Sequence, residues 1–196
     1  MIAAEDFKLG LYVHWPFCQK RCPYCDFNVH EVGLDDPTDH QRWASALVQE
    51  LQHFAPLAQG RKLTSIFFGG GTPSLMQPET VAAVIRAAQA EIGFRNDIEI
   101  SLEANPTSSD ADRFTGYRDA GVNRLSLGVQ SLRDKALLAL GRQHSVEEAL
   151  AALEVARSVF DNISFDLMYA RPRQTSEDWQ NELAQALALK PNHISL

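Results

Sequence analysis

Six stretches of the chain are strand-like: "LGLYVHW" (9–15), "LTSIFFG" (63–69), "DIEISLEA" (97–104), "NRLSLGV" (123–129), "NISFDLMY" (162–169) and "HISL" (193–196). In three of them the pattern has period two. Ile98, Ile100 and Leu102 alternate with Glu99, Ser101 and Glu103. Leu125, Leu127 and Val129 alternate with Ser126, Gly128 and Gln130, and Ile163, Phe165 and Leu167 with Ser164, Asp166 and Met168. Strands buried on both faces read as nearly continuous apolar runs. These predict instead one apolar face for packing and one small or polar face, with the polar members gathered toward the strand ends. That suits a wet or ligand-filled interior with a site at the C-terminal rim; a sheet with one face open to solvent shares the pattern.

Between the strands the spacing turns helical. Trp43, Leu47, Leu51 and Phe54 form one stripe, and Val81, Val84, Ile85 and Ala88 form another behind Pro78. Ala149, Leu153, Ala156 and Phe160 follow "SVEE" (145–148), a capping box. Trp179, Leu183, Ala186 and Leu187 complete the set. These stripes predict core packing. Strands alternating with helices, without hairpin signals, predict an α/β fold with a parallel sheet, either open and doubly wound or closed toward a barrel. The polar strand faces favour the curved alternative.

With 196 residues, 45% of them hydrophobic, the chain supports one domain, and 22% charge is no disordered composition. A net charge of -7 without any basic run argues against nucleic acid as a partner. No apolar run approaches the ~18 residues of a membrane span, and "MIAAEDFKLG" does not read as a targeting peptide. The chain stops within its sixth strand, so residues 1–196 are expected to be a core domain that continues past Leu196.

All three cysteines lie in "CQKRCPYCDF" (18–27), just after the first strand. An odd number fits poorly with a disulfide framework, so a reducing, cytoplasmic compartment is expected. Three readings are open. A structural zinc site needs four ligands, which His14 or His30 could complete. In a second, the three are unrelated buried thiols. Or Cys18, Cys22 and Cys25 hold an iron–sulfur cluster, which normally takes four thiolates; with three, one iron keeps a position open to a small molecule.

CxxxCxxC with Tyr24 before the last cysteine resembles the signature of the radical S-adenosylmethionine (SAM) enzymes. The resemblance implies a partial (β/α)6 TIM-like barrel, here truncated within strand six. It also implies a [4Fe–4S] cluster on Cys18, Cys22 and Cys25, and SAM chelating the open iron, from which one electron releases a 5′-deoxyadenosyl radical. Further motifs match along the chain. "GGGTPS" (69–74) is similar to the glycine motif that holds the SAM amino group, implicating Gly70, Gly71 and Thr72; no Gly-Lys-Ser/Thr follows, so it is not a P-loop. "LEANP" (102–106), "SLGVQS" (126–131), "LGRQH" (140–144) and "FDLMY" (165–169) place Glu103, Gln130, Arg142 and Asp166 in the SAM pocket by the same resemblance. Arg142 suits a carboxylate, and Asp166 within a strand needs a partner. Tyr12 and Tyr24 flank cluster and ligand.

"YVHWPFCQKRCPYCDFNVH" (12–30) is most similar to the oxygen-independent coproporphyrinogen III oxidase group. Its decarboxylating members carry CxxxCxxCxC; its haem-chaperone members have Phe where the last cysteine stands, as Phe27 does here. The resemblance to that branch implies haem as cargo, haem-accepting proteins and an electron donor as partners, and no integral membrane segment. Two departures stand out. Trp15 replaces the usual Ile, and "ARPRQT" (170–175) stands where the group reads Gly-Leu-Pro-Gly-Gln-Thr. Arg173 at a glycine position is expected to force the loop to adjust or to carry strain.

Overall fold

A computed structural model describes residues 8–33, 38–108 and 111–196. The stretch read above as carrying no targeting signal lies, up to Phe7, outside the described residues. Six parallel strands form the main sheet: β1 (Leu9–Trp15), β4 (Leu63–Gly70), β5 (Phe94–Ala104), β6 (Arg124–Gln130), β7 (Ile163–Leu167) and β8 (His193–Ser195). A separate two-residue parallel pair, β2 (Phe17–Cys18) with β3 (His30–Glu31), ties the cysteine loop together.

The strands lie in chain order, β1-β4-β5-β6-β7-β8. An open doubly wound sheet reverses its order at a switch point; here every crossover runs the same way. Parallel crossovers are right-handed, so the helices all fall on one face, and the sheet rolls toward a barrel with its other face inside. The connecting helices are α1 (His40–Phe54), α2 (Pro78–Glu91), α3 (Ala111–Ala120), α4 (Asp134–Ala139) with α5 (Val146–Val159), and α6 (Ser176–Ala188).

The apolar strand positions meet these helices. Ile66, Phe68, Ile100, Leu102, Leu125, Leu127 and Phe165 are buried with Val81, Val84, Leu153 and Ala156 of the helix stripes. The opposite face is not solvent-swept, for Ser101, Ser126 and Ser164 are buried there. Side-chain caps start three helices: Asp39 accepts from the Arg42 N–H, and capping boxes Ser145/Glu148 and Thr175/Asp178 open α5 and α6.

Helices α3 and α4 have no readable stripe. In α3 only Phe114 and Tyr117 are buried, and Gly116 interrupts the pattern because a Cβ there would lie 2.7 Å from the Pro78 side chain. The glycine lets α3 press against the start of α2. From α3, the Tyr117 hydroxyl bonds the Ser74 and Met76 carbonyls at 2.8 and 2.7 Å, and Arg113 donates to the Ser74 carbonyl at 2.8 Å. The helix missed by periodicity thus braces the glycine motif from below.

Trp15 takes up its extra bulk inside the core. Fully buried, it packs edge-on against Phe17 and Trp43 (centroids 5.3 and 5.7 Å) and stacks on His40 at 5.6 Å. Its Nε1–H finds no partner among the described residues. This aromatic nest lies directly under the cysteine loop.

A candidate cluster and nucleoside site at the rim of the sheet

Strand ends and their following loops converge on one open cavity of about 150 Å³. Cys18, Cys22, Tyr24 and Cys25 line it from the segment after β1, and Gly70, Gly71 and Thr72 from the end of β4 and the loop that follows. Glu103, Gln130 and Asp166 reach it from β5, β6 and β7, and Arg142 from the loop after α4. Eleven of the twelve residues singled out from the sequence therefore share one cavity. The twelfth, Tyr12, stands beside it and half exposed, stacked on Phe67 at 6.1 Å and against the Gly69 backbone. The sequence reading missed Lys20, Arg21, Val29, Asn105 and Gly128, which also line the cavity. Gly128 was legible as an inward strand position, since it alternates with Leu127 and Val129.

The glycines serve packing more than ligand approach. A Cβ at Gly71 would lie 2.4 Å from the Phe17 carbonyl oxygen, and one at Gly70 would lie 2.7 Å from both the Trp15 carbonyl and the His14 ring. Gly70 also has φ +118°, which L side chains rarely adopt. Their absence of side chains lets the β4 loop lock onto the cysteine loop, with Gly71 N–H to the Trp15 carbonyl at 2.7 Å and Thr72 N–H to the Phe17 carbonyl at 2.8 Å. Gly128 is different: a Cβ there would crowd Gln130 Nε2 at 3.2 Å and Arg142 at 3.5 Å, filling the cavity itself. Gln130 sits at φ +66° and turns its chain so that Met168 N–H reaches the Gln130 carbonyl at 2.9 Å.

Charge at the site is arranged around burial. Glu103 accepts the Gly70 N–H at 3.3 Å, and its carboxyl is pushed up to about 7 by burial and by Asp166 nearby. Asp166 is likewise raised by burial, with the hydroxyls of Ser195 and Ser126 working the other way. The Tyr24 phenol is pushed up to about 12, mainly by burial. Arg142 joins Lys20 and Arg21 as a cation of the cavity. It donates to the Gly128 carbonyl at 2.8 Å and to Cys22 Sγ at 3.7 Å, while its buried Nε–H has no partner among the described residues. His144, buried beside it, is held to the Val129 carbonyl at 3.1 Å, and its imidazole titrates below the usual range through burial and the Arg142 charge.

The sequence pattern of the Radical SAM superfamily matches residues 12–186. The chain belongs to that superfamily. Among its radical SAM relatives, the "Heme chaperone HemW" of Haemophilus influenzae is 45% identical over 192 residues, covering 95% of this chain and 50% of that protein. The mouse "Radical S-adenosyl methionine domain-containing protein 1, mitochondrial" is 44% identical, covering 96% of this chain and 42% of its own. A solved structure, coproporphyrinogen III oxidase (HemN) from Escherichia coli, superimposes with a TM-score of 0.80 at 32% identity, over 95% of this chain and 43% of that one. The chain thus spans about half the length of the curated relatives it matches. The fold is the radical SAM α/β architecture, a partial TIM-like barrel. Among the described residues no helix is long and apolar enough to cross a membrane.

The superfamily implies a [4Fe–4S] cluster and SAM, and the residues fit both. Cys18, Cys22 and Cys25 line one cavity, and burial, then the charges of Cys25, Glu31 and Cys22, push the Cys18 thiol up. Yet among the described residues no three His, Cys, Asp or Glu side chains converge as a single ion needs. A cluster larger than an ion suits thiols spread over an open cavity. For the nucleoside, the orphaned Arg142 Nε–H, two inward carboxylates and the space over Gly128 supply a cationic donor, acceptors and room.

The "ARPRQT" segment behaves unlike a relaxed replacement. Ala170 and Arg173 both have positive φ, +53° and +66°, so the loop keeps the backbone that glycines would give it. Arg171 finds a use of its own. Its guanidinium pairs with Glu182 of α6, a carboxylate 1% exposed, which also accepts from the Ser131 hydroxyl, the Leu132 N–H at 2.7 Å and Gln174. The pair clamps the loop after β7 to the loop after Gln130.

Proposed function

We propose that this chain is the radical SAM domain of a haem chaperone, a protein that binds haem and passes it to haem-protein acceptors. Support comes from identities of 40–45% to proteins named heme chaperone, together with Phe27, half exposed on the cavity wall where the decarboxylating branch is expected to carry a further cysteine. Three reduced thiols kept for a cluster suit a reducing compartment such as the cytosol.

Cys18, Cys22 and Cys25 would hold the [4Fe–4S] cluster, which when bound supplies an open iron and a single electron. The protein's own groups do the binding. Glu103, protonated or ionised near neutrality, offers an acceptor to an ammonium group. Arg142 offers its free Nε–H to a carboxylate, and Asp166 accepts from ribose hydroxyls. Tyr24 lines the cavity with Tyr12 beside it, and Gln130, also lining it, sits at a left-handed backbone.

Haem titration of the full-length, anaerobically reconstituted protein tests the reading. A saturable change in haem absorbance is expected, and its absence would sink it. The match to HemN supports a second reading, oxidative decarboxylation of coproporphyrinogen III. Formation of protoporphyrinogen with SAM, reductant and coproporphyrinogen would favour that one instead.

A further inference from the structure

Asp166 is a carboxylate set inside a strand, and a row of side chains outside the cavity is aimed at it. On the inner face Ser126 of β6 stands opposite Ser164 of β7, and Arg124 of β6 stands opposite Ser101 of β5. The Arg124 guanidinium donates to Ser164 Oγ at 3.1 Å. Ser164 Oγ donates to Ser126 Oγ at 2.8 Å, and Ser126 Oγ to Asp166 Oδ1 at 3.3 Å. Chemistry at the two ends sets the direction, because a guanidinium only donates and a carboxylate only accepts. Each hydroxyl is therefore used once as acceptor and once as donor, and every dipole in the row points at Asp166. Ser164 and Ser126 are buried, so water does not compete, and bonds in such a chain polarise one another. At the far end Arg124 is pinned by Glu99 at 3.0 Å and Ser101 at 3.4 Å.

We propose that Arg124 is a positioning residue for Asp166: through Ser164 and Ser126 it fixes the carboxylate's orientation and favours its anionic, accepting form. The lone pairs turned to the cavity are then ready for the hydroxyls of a ribose-bearing ligand, a step that rests on the SAM-pocket reading above. The groups facing Asp166 are Glu103 from β5, Arg124 and Ser126 from β6, Arg142 from the loop after α4, and Ser195 from β8. Burial and Glu103 oppose the anion; the two hydroxyls and two guanidinium groups favour it. Cutting the row takes Ser126 and Arg124 out of that balance and leaves Ser195 and Arg142, so Asp166 takes up its proton at higher pH.

The test uses the cluster-loaded, full-length protein. Infrared difference spectra with ¹³C-carboxyl aspartate follow the Asp166 titration, Asp166→Asn identifying its band, and equilibrium dialysis measures SAM affinity across pH. Ser126→Ala, nearly isosteric, and Arg124→Met are expected to move the titration upward. They are also expected to weaken SAM binding about 3- to 10-fold near neutrality, as for loss of one ordinary hydrogen bond. The loss should vanish at higher pH, and Ser126→Thr should restore the wild-type profile. An Asp166 titration unmoved by both substitutions overturns the proposal, whatever SAM does. A titration that moves while Asp166→Asn still binds SAM at wild-type strength supports the row's control of Asp166 and refutes instead its place in the SAM pocket.

Discussion

Arg173→Gly is expected to stabilise the protein although it deletes a large side chain. Residues 171–174 form a tight turn, the Gln174 N–H bonding the Arg171 carbonyl at 2.9 Å, with Pro172 second and Arg173 third at φ +66°. Proline second and positive φ third is the type II pattern, whose third position selects glycine. An L residue pays about 1–2 kcal/mol in the left-handed region. Glycine there removes that cost but loses about 0.5–1 kcal/mol through greater freedom of the unfolded chain. Arg173 is exposed, so little contact is lost. The net gain is about 0.5–1 kcal/mol, and the same arithmetic holds for the exposed Ala170 at φ +53°. With both glycines present the gain should approach about 1–2 kcal/mol, additive only as far as the shared loop permits. Urea denaturation of the full-length protein measures it, as a raised midpoint at unchanged slope. A midpoint lowered by Arg173→Gly would refute the argument, for it would mean that the side chain contributes more than its backbone costs.

Three further outcomes are expected. Glu182→Leu strands the Arg171 guanidinium, 9% exposed, and should cost about 3–5 kcal/mol in the same denaturation experiment, far more than a surface ion pair. Glu103 binds its proton more tightly folded (about 7) than unfolded (4.5), so between those values the folded state holds more protons and stability of the ligand-free protein falls as pH rises. Glu103→Gln should flatten that slope, and an unchanged slope would show that Glu103 ionises normally. Arg142→Lys removes the N–H donor to Cys22 Sγ, and redox titration followed by electron paramagnetic resonance should find the cluster potential more negative; an unchanged potential would exclude that contact in the loaded protein.

The strands and the principal helices were legible because their patterns are long and regular. The six strand runs match the sheet to within a few residues, and "SVEE" opens α5 as a capping box. Helix α3 escaped because it buries little and carries Gly116, whose reason lies in Pro78, some forty positions away along the chain. The β2–β3 pair escaped because two-residue strands have no period to read. At the site, residue types within motifs were readable, and alternation put Ser126 and Ser164 on the polar strand face, but the roles of Arg124, Ser126, Ser164 and Glu182 carry no local signal. Their meaning comes from cross-strand register and from a helix far along the chain.

The sequence by itself determined the alternation that sends apolar side chains to the helices and polar ones inward, and the spacing that gathers all three cysteines in one loop after the first strand. Those are properties of neighbours, fixed by the two-residue period of a strand and by loop length. Only the tertiary structure decided that all crossovers run one way, bringing six separate segments to one rim. Only it showed that the glycines of "GGGTPS" make room for the cysteine loop, and that Ala170 and Arg173 hold glycine-like backbone. Close packing and strain depend on which atoms meet across the chain, and that is settled only when the sheet is assembled.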